Sequence, residues 1–226
     1  MNAKSIRDKT VRDTKCNLIL DAARKVFAAK GFHESRLEDI AGEAGFSKAS
    51  LYNYYADKDE IFLYLAIRDF ENLLSSLVAV TNTDQPFFVN LERHIRTSLN
   101  FFGEHFAFMV SATNFHVTLR INQERMVEQH KIISEKFSDY YHSILSFHRE
   151  LIEKAQQKGE ISSRVSAGNI SRYISSLIRG TFIEWKMRGV QGDTEEETAS
   201  LLAFIRSGIG SADPEDSGPV QSAGKQ

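Results

Sequence analysis

Cysteine is nearly absent: Cys16 stands alone among 226 residues, which excludes an internal disulfide framework and suits a reducing compartment. Seven histidines are present, yet none forms an HxxxH pair and no CxxC occurs, so no metal site and no cofactor are expected. Proline occurs only at Pro86, Pro214 and Pro219, which leaves the long middle of the chain free of helix breakers. No apolar run approaches the ~20 residues that span a bilayer, and the first residues lack the apolar stretch of a secretory signal. A soluble, cytoplasmic protein with no membrane partner is expected. Phosphate-binding glycine loops and the G-x-S-x-G elbow are both missing, so no catalytic residue is assigned and an enzyme is not expected.

Charge is close to balanced, with 28 basic against 30 acidic residues, so binding to a polyanion has to come from local clustering. The N-terminus supplies it. Residues 1–30 hold Lys4, Arg7, Lys9, Arg12, Lys15, Arg24, Lys25 and Lys30 against Asp8, Asp13 and Asp21, and the remainder is net acidic. A flexible basic arm is expected over residues 1–13, free to follow phosphates or enter a minor groove or simply to stay solvated.

What is there in abundance is helical periodicity. Leu18, Ile19, Ala22, Ala23, Val26 and Phe27 mark a first helix from about Thr14 to Lys30, stopped by Gly31. Ser35 with Glu38 makes a capping-box pattern for a short second helix that ends near Gly45, and Ser47 caps a third over Lys48–Tyr55. A long fourth helix starts at Asp57–Glu60 and runs toward Val80. Further helices are expected at about 86–102, 105–121, 124–158, 166–188 and 194–209, and the polar tail 211–226 is expected to be disordered.

Two short helices joined by a glycine turn are the helix-turn-helix pattern, in which the second helix enters the major groove. On a 3.6-residue helix Lys48, Ala49 and Tyr52 share the exposed front while Leu51 and Tyr55 lie behind. Lys48 suits guanine O6/N7 and Ala49 a thymine methyl, with Tyr52 reaching a base or a phosphate. Arg36, Ser50, Asn53, Tyr54 and Lys58 suit phosphates, and Ser47 caps at the DNA-facing end.

The run GFHESRLEDIAGEAGFSKASLYNYYADKDEIF resembles the DNA-binding domain of the TetR family, with Gly31, Phe32, Ile40, Ala41, Ala44, Gly45, Ser47, Leu51, Tyr52, Tyr54, Lys58 and Asp59 at matching places. Phe46, Tyr55 and Arg36 depart from the family's usual residues there. The resemblance implies an all-α fold, with a three-helix helix-turn-helix domain (14–60) joined by a long helix to a helical ligand-binding and dimerisation domain (61–210). It implies double-stranded operator DNA and a small, mainly apolar effector as partners. Repression is the family's commoner habit, although the residues do not choose between repression and activation.

In the second domain, Phe101, Phe102, His105, Phe106, Met109, Phe115, His116, Phe137 and Tyr141 are the candidate effector contacts, the two histidines as polar handles. The same aromatic spacing also suits plain core. Ile170, Ile174, Leu177, Thr181 and Trp185 form one helical stripe, with Leu201 and Ile205 on the last helix. Pairing of these stripes from two subunits would give a four-helix homodimer interface; the alternative is that they face their own core.

Overall fold

The computed structural model describes residues 3–104, 128–189 and 192–210. Among these residues the chain is all-α, with eight helices: α1 (Ala3–Lys30), α2 (Leu37–Ala44), α3 (Lys48–Leu51), α4 (Lys58–Val80), α5 (Phe87–Glu104), α6 (Glu128–Gln157), α7 (Ala167–Arg188) and α8 (Thr194–Ile209). No strand is formed among the described residues; a single antiparallel bridge links Ile161 to Gly210. None of their helices is long and apolar enough to cross a membrane. The expected helix at 105–121 and the tail 211–226 lie outside the described residues.

Packing divides the described residues into two compact units, those of Met1–Ser76 with Phe101–Ser143 and those of Leu77–Asn100 with Ile144–Gln226. The division therefore falls later than the boundary expected at residue 60. Its reason is burial: Ile61, Phe62, Leu63, Leu65, Ala66 and Ile67 on the first turns of α4 are all buried, and Phe62 packs at 5.4 Å from Phe27 and 4.6 Å from Phe32. Such aromatic pairs add about 0.5–1.5 kcal/mol each beyond their area. Ion pairs from Arg68 to Asp21 and from Arg24 to Asp69 tie α4 to α1 as well.

The arm expected at residues 1–13 is helical from Ala3, continuous with α1. Nothing in 3–30 breaks a helix, since the stretch holds neither proline nor glycine, and Thr10 and Thr14 donate their hydroxyls to the carbonyls of Ile6 and Thr10. The clustering of positive charge is also partly spent inside the molecule. Lys25 reaches Glu43 and Lys30 reaches Asp39, both at 2.8 Å, which fastens α1 to α2.

The second unit is centred on α7. Ile170, Ile174, Ile178, Phe182 and Trp185 are each at most 5% exposed within one chain, together with Leu91, Ile95 and Leu99 from α5, Ile152 and Ala155 from α6, and Ile205 from α8. The turn into α8 is closed by Asp193, whose carboxylate accepts from the Glu195 and Glu196 amides.

Candidate nucleic-acid interface

The turn between α2 and α3 is set by Gly45, which caps α2 in the left-handed region at φ 72°, where a side chain is disfavoured. Phe46 N–H then donates to Ala41 O at 2.8 Å, and Ser47 Oγ accepts from Ser50 N–H at 3.1 Å, which starts α3 as its sequence suggests. At the other end, Ser35 does not cap α2. Arg36 occupies the cap, with its N–H donated to Asp39 Oδ2 at 3.0 Å; Ser35 is buried and its hydroxyl donates to Gly31 O at 2.5 Å. A serine three residues before a glutamate looks like a cap in sequence, but the αL turn at Gly31 points this hydroxyl back into the unit.

Regular α3 covers Lys48–Leu51 only, and residues 52–54 continue as a turn rather than as the helix expected to reach Tyr55. The division of faces nevertheless holds. Leu51 and Tyr55 are buried, Tyr55 with its phenol pushed up by desolvation, while Ser47, Lys48, Ala49, Tyr52 and Asn53 are exposed and Ser50 is half-buried. Lys48 rests on Glu38 at 2.5 Å, a hydrogen bond that raises the lysine pKa and lowers that of the glutamate. Both partners are about half exposed, so the pair is weak and gives way readily to a better acceptor. Arg36 is exposed beside them.

Two phosphate candidates have structural jobs. Lys58 donates to the carbonyls of Phe32 at 2.7 Å, His33 at 3.3 Å and Ser35 at 2.8 Å, and lies 4.5 Å from the Phe32 ring centre. Its three donors are fully occupied. Lys58→Met is therefore expected to lower stability by about 2–3 kcal/mol, because it strands three carbonyls, and to leave the salt dependence of DNA binding unchanged. Denaturation in urea beside a salt titration checks this; a flatter salt slope with unaltered stability would restore the phosphate role. Tyr54 is half-buried, its ring packed 5.9 Å from Phe46 and 5.5 Å from the Arg12 guanidinium. Arg12 also donates to Asn53 O at 3.2 Å, so the helical N-terminal extension braces the turn after α3. That role was invisible in sequence, where Arg12 is one base among many.

The effector candidates are only partly placed. Phe101 and Phe102 are half-buried neighbours with rings 6.2 Å apart, and Tyr141 is half-buried at 6.0 Å from the His142 ring. His105, Phe106, Met109, Phe115 and His116 lie outside the described residues, as does the side chain of Phe137. In the first unit a broad cleft of about 1020 Å³ is lined mostly by polar residues, Arg12, Asn17, Arg68 and Lys136 among them. In the second, a small apolar cavity is lined by Phe87, Asn90, Leu91, His94, His148, Leu151, Ile152 and Ile174. Sequence reading overlooked this pair of histidines, although each sits at helical spacing among apolar residues: His94 next to Leu91 and Ile95, and His148 next to Ile144 and Ile152.

Both histidines are held neutral. Burial, then the neighbouring His148 and Arg93, depresses His94 to about 3, and burial depresses His148 to about 4. No carboxylate lines the cavity to offset this. A base with a depressed folded pKa takes up protons more readily when unfolded, so stability is fully present above pH ~6.5 and falls as pH drops toward 4 and 3. The expected loss at pH 5 is on the order of 2 kcal/mol per histidine. Denaturation midpoints at pH 7.5 and 5 check it, and a stability independent of pH over that interval would contradict it.

Residues 19–65, which cover the core of α1 through the first turns of α4, match the family model described as bacterial regulatory proteins, tetR family. Those residues form a TetR-family DNA-binding domain. Over its length this regulator is similar to the fatty acid metabolism regulator protein of Bacillus subtilis, 22% identical across 84% of this chain and 93% of that one. It is also similar to the HTH-type transcriptional repressor BepR of Brucella suis, 26% identical over 77% and 81% of the two chains. Among solved structures, the transcriptional regulator FadR from Bacillus subtilis in complex with stearoyl-CoA shares its fold, with a TM-score of 0.63 and 21% identity over 85% of this chain and 98% of that one.

Proposed function

We propose that this regulator is a homodimeric repressor that holds double-stranded operator DNA with α3 and is released when a small, mainly apolar effector binds. The observation that carries the reading is the α2–Gly45–α3 turn, which leaves Lys48, Ala49 and Tyr52 outward over a buried Leu51 and Tyr55. Lys48 and Ala49 read bases, while Arg36, Ser50 and Asn53 set register on phosphates. Repression is supported by the relative named as a repressor, and an apolar effector by the solved relative with stearoyl-CoA. The protein acts by binding rather than by turnover, in the cytoplasm where its operator lies.

Dimerisation runs through a face other than the expected one. Ile170, Ile174, Trp185 and Ile205 are consumed by their own core, with Leu177, Thr181 and Leu201 half-buried at its margin. The apolar residues left outside are Tyr173, Ile183 and Met187 on α7, at 58, 40 and 83% exposure, and Phe204 on α8 at 67%. Tyr173, Ser176, Gly180, Ile183 and Met187 repeat at three- and four-residue intervals, the spacing of a helix-packing seam with small residues at its middle. The pattern in sequence holds two stripes, and only burial distinguishes them.

The effector acts by preferring the DNA-incompetent state; α4, whose residues fall in both units, is the covalent route between them. A coupling of about 1–3 kcal/mol corresponds to roughly 5–150-fold release. A mobility-shift titration of the full chain against DNA upstream of its own gene tests the reading. Sequence-dependent, salt-sensitive retardation is expected; equal retardation of scrambled DNA would overturn it.

A further inference from the structure

His148 on α6 is 6% exposed, and neither of its ring nitrogens has a hydrogen-bond partner. A buried polar group without a partner is costly, and its persistence calls for a reason. It lines the small cavity of the second unit together with His94, whose ring centre is 5.2 Å away. We propose that this cavity is the polar end of the effector site and receives one uncharged hydroxyl at the tip of an otherwise apolar molecule. The inference rests on the effector-gated reading above and names the chemistry of that effector.

Proton counting favours the hydroxyl. Thr81 donates its single hydroxyl proton to Leu77 O at 2.7 Å, so the 2.8 Å contact with His94 Nε2 has the imidazole as donor, and the lone pair of His94 is left on Nδ1. Neutral His148 contributes one N–H and one lone pair. The nitrogens of His148 are covered in the closed cavity, so a hydroxyl that accepts from one ring and donates to the other reaches them only as the unit opens. A carboxylate can only accept and would be buried with no lysine or arginine on the cavity wall, and an ammonium would find no carboxylate there. The other walls, Phe87, Leu91, Leu151, Ile152 and Ile174, are apolar except for Asn90, whose side chain already bonds Asn82 and Gln85. The ligand therefore carries one polar tip and an apolar body.

Size gives the site its regulatory sense. The cavity is about 10 Å³, room for the centre of one water-sized group. An apolar body behind the hydroxyl has to part Leu91, Leu151 and Ile174, so the ligand binds an opened arrangement of this unit better than the closed one. Such a difference in affinity between two states is what allows a ligand to shift an equilibrium.

The test uses the full chain with octan-1-ol and 2-naphthol as hydroxyl probes, and 1-chlorooctane, naphthalene and octanoate as their counterparts. Calorimetric titration should show the hydroxyl probes binding roughly tenfold or more tightly than counterparts that lack the hydroxyl. His148→Phe, checked for folding by circular dichroism, should erase that preference, and His148→Gln, which keeps a donor and an acceptor, should retain much of it. Absence of binding by both hydroxyl probes, or equal affinities in wild type and His148→Phe, overturns the proposal. Mobility shifts on the same samples separate it from the function it rests on. Hydroxyl probes that bind through His148 yet leave DNA affinity unchanged sink the effector role and not the site. Release of DNA by compounds that bind His148→Phe equally well sinks the site and not the effector role.

Discussion

Replacing Arg24 with methionine is expected to destabilise the protein by about 3–5 kcal/mol, because it leaves a buried carboxylate without its partner. Asp69 on α4 is 0% exposed, and Arg24 on α1 meets it with two guanidinium nitrogens, one donating to Oδ2 at 2.8 Å and the other to Oδ1. Forked pairing of this kind is the geometry that best compensates a buried carboxylate. The double variant Arg24→Met with Asp69→Met should recover most of the loss, since a buried pair replaced by apolar groups is often neutral. Urea denaturation of the three proteins measures both effects. A single variant within about 1 kcal/mol of wild type would show the pair to be a surface-like contact, and with it the α1–α4 platform beneath the recognition turn would lose its main polar tie.

Met187→Glu combined with Phe204→Glu should give a folded monomer that no longer retards operator DNA, whereas Trp185→Glu should give unfolded protein. The two outcomes differ because Met187 and Phe204 are 83% and 67% exposed in the single chain, while Trp185 is 2% exposed in its core. Charge on an exposed stripe costs the monomer little but opposes its pairing; charge in a core is an uncompensated burial. Two recognition helices entering successive major grooves sit one DNA turn apart, about 34–36 Å, so a monomer engages only one half-site. Sedimentation velocity with far-UV circular dichroism distinguishes these states. A Met187/Phe204 double variant that stays dimeric would place the interface elsewhere.

Legibility in the sequence followed the reach of the physics involved. The existence and order of the helices were readable because local periodicity sets them, and the α2–α3 turn was readable because Gly45 and Ser47 are local signals. Where the outcome depends on residues far apart in the chain, local signals mislead. Lys58 looks like a phosphate ligand until the carbonyls of residues 32, 33 and 35 are seen around its ammonium. Ser35 looks like a cap until its hydroxyl is found turned to Gly31. On α7 the apolar residues satisfy two helical stripes, and only burial decides that Ile170, Ile174 and Trp185 face inward. His94 and His148 are 54 positions apart in sequence, so no local pattern announces that their rings meet. For residues 1–13, positive charge suggested an arm, but uninterrupted helix formers prevailed and carried α1 back to Ala3.

The central claim, that α3 presents a base-reading face, is tested most directly by selecting binding sites from a random double-stranded DNA library with the wild-type chain and with Lys48→Ala. Wild type should enrich two related half-sites one helical turn apart, and Lys48→Ala should lose preference at one base pair per half-site, with affinity for the original site reduced by about 1–3 kcal/mol. Enrichment of the same sequence by both proteins with equal affinity would contradict the assignment of this face.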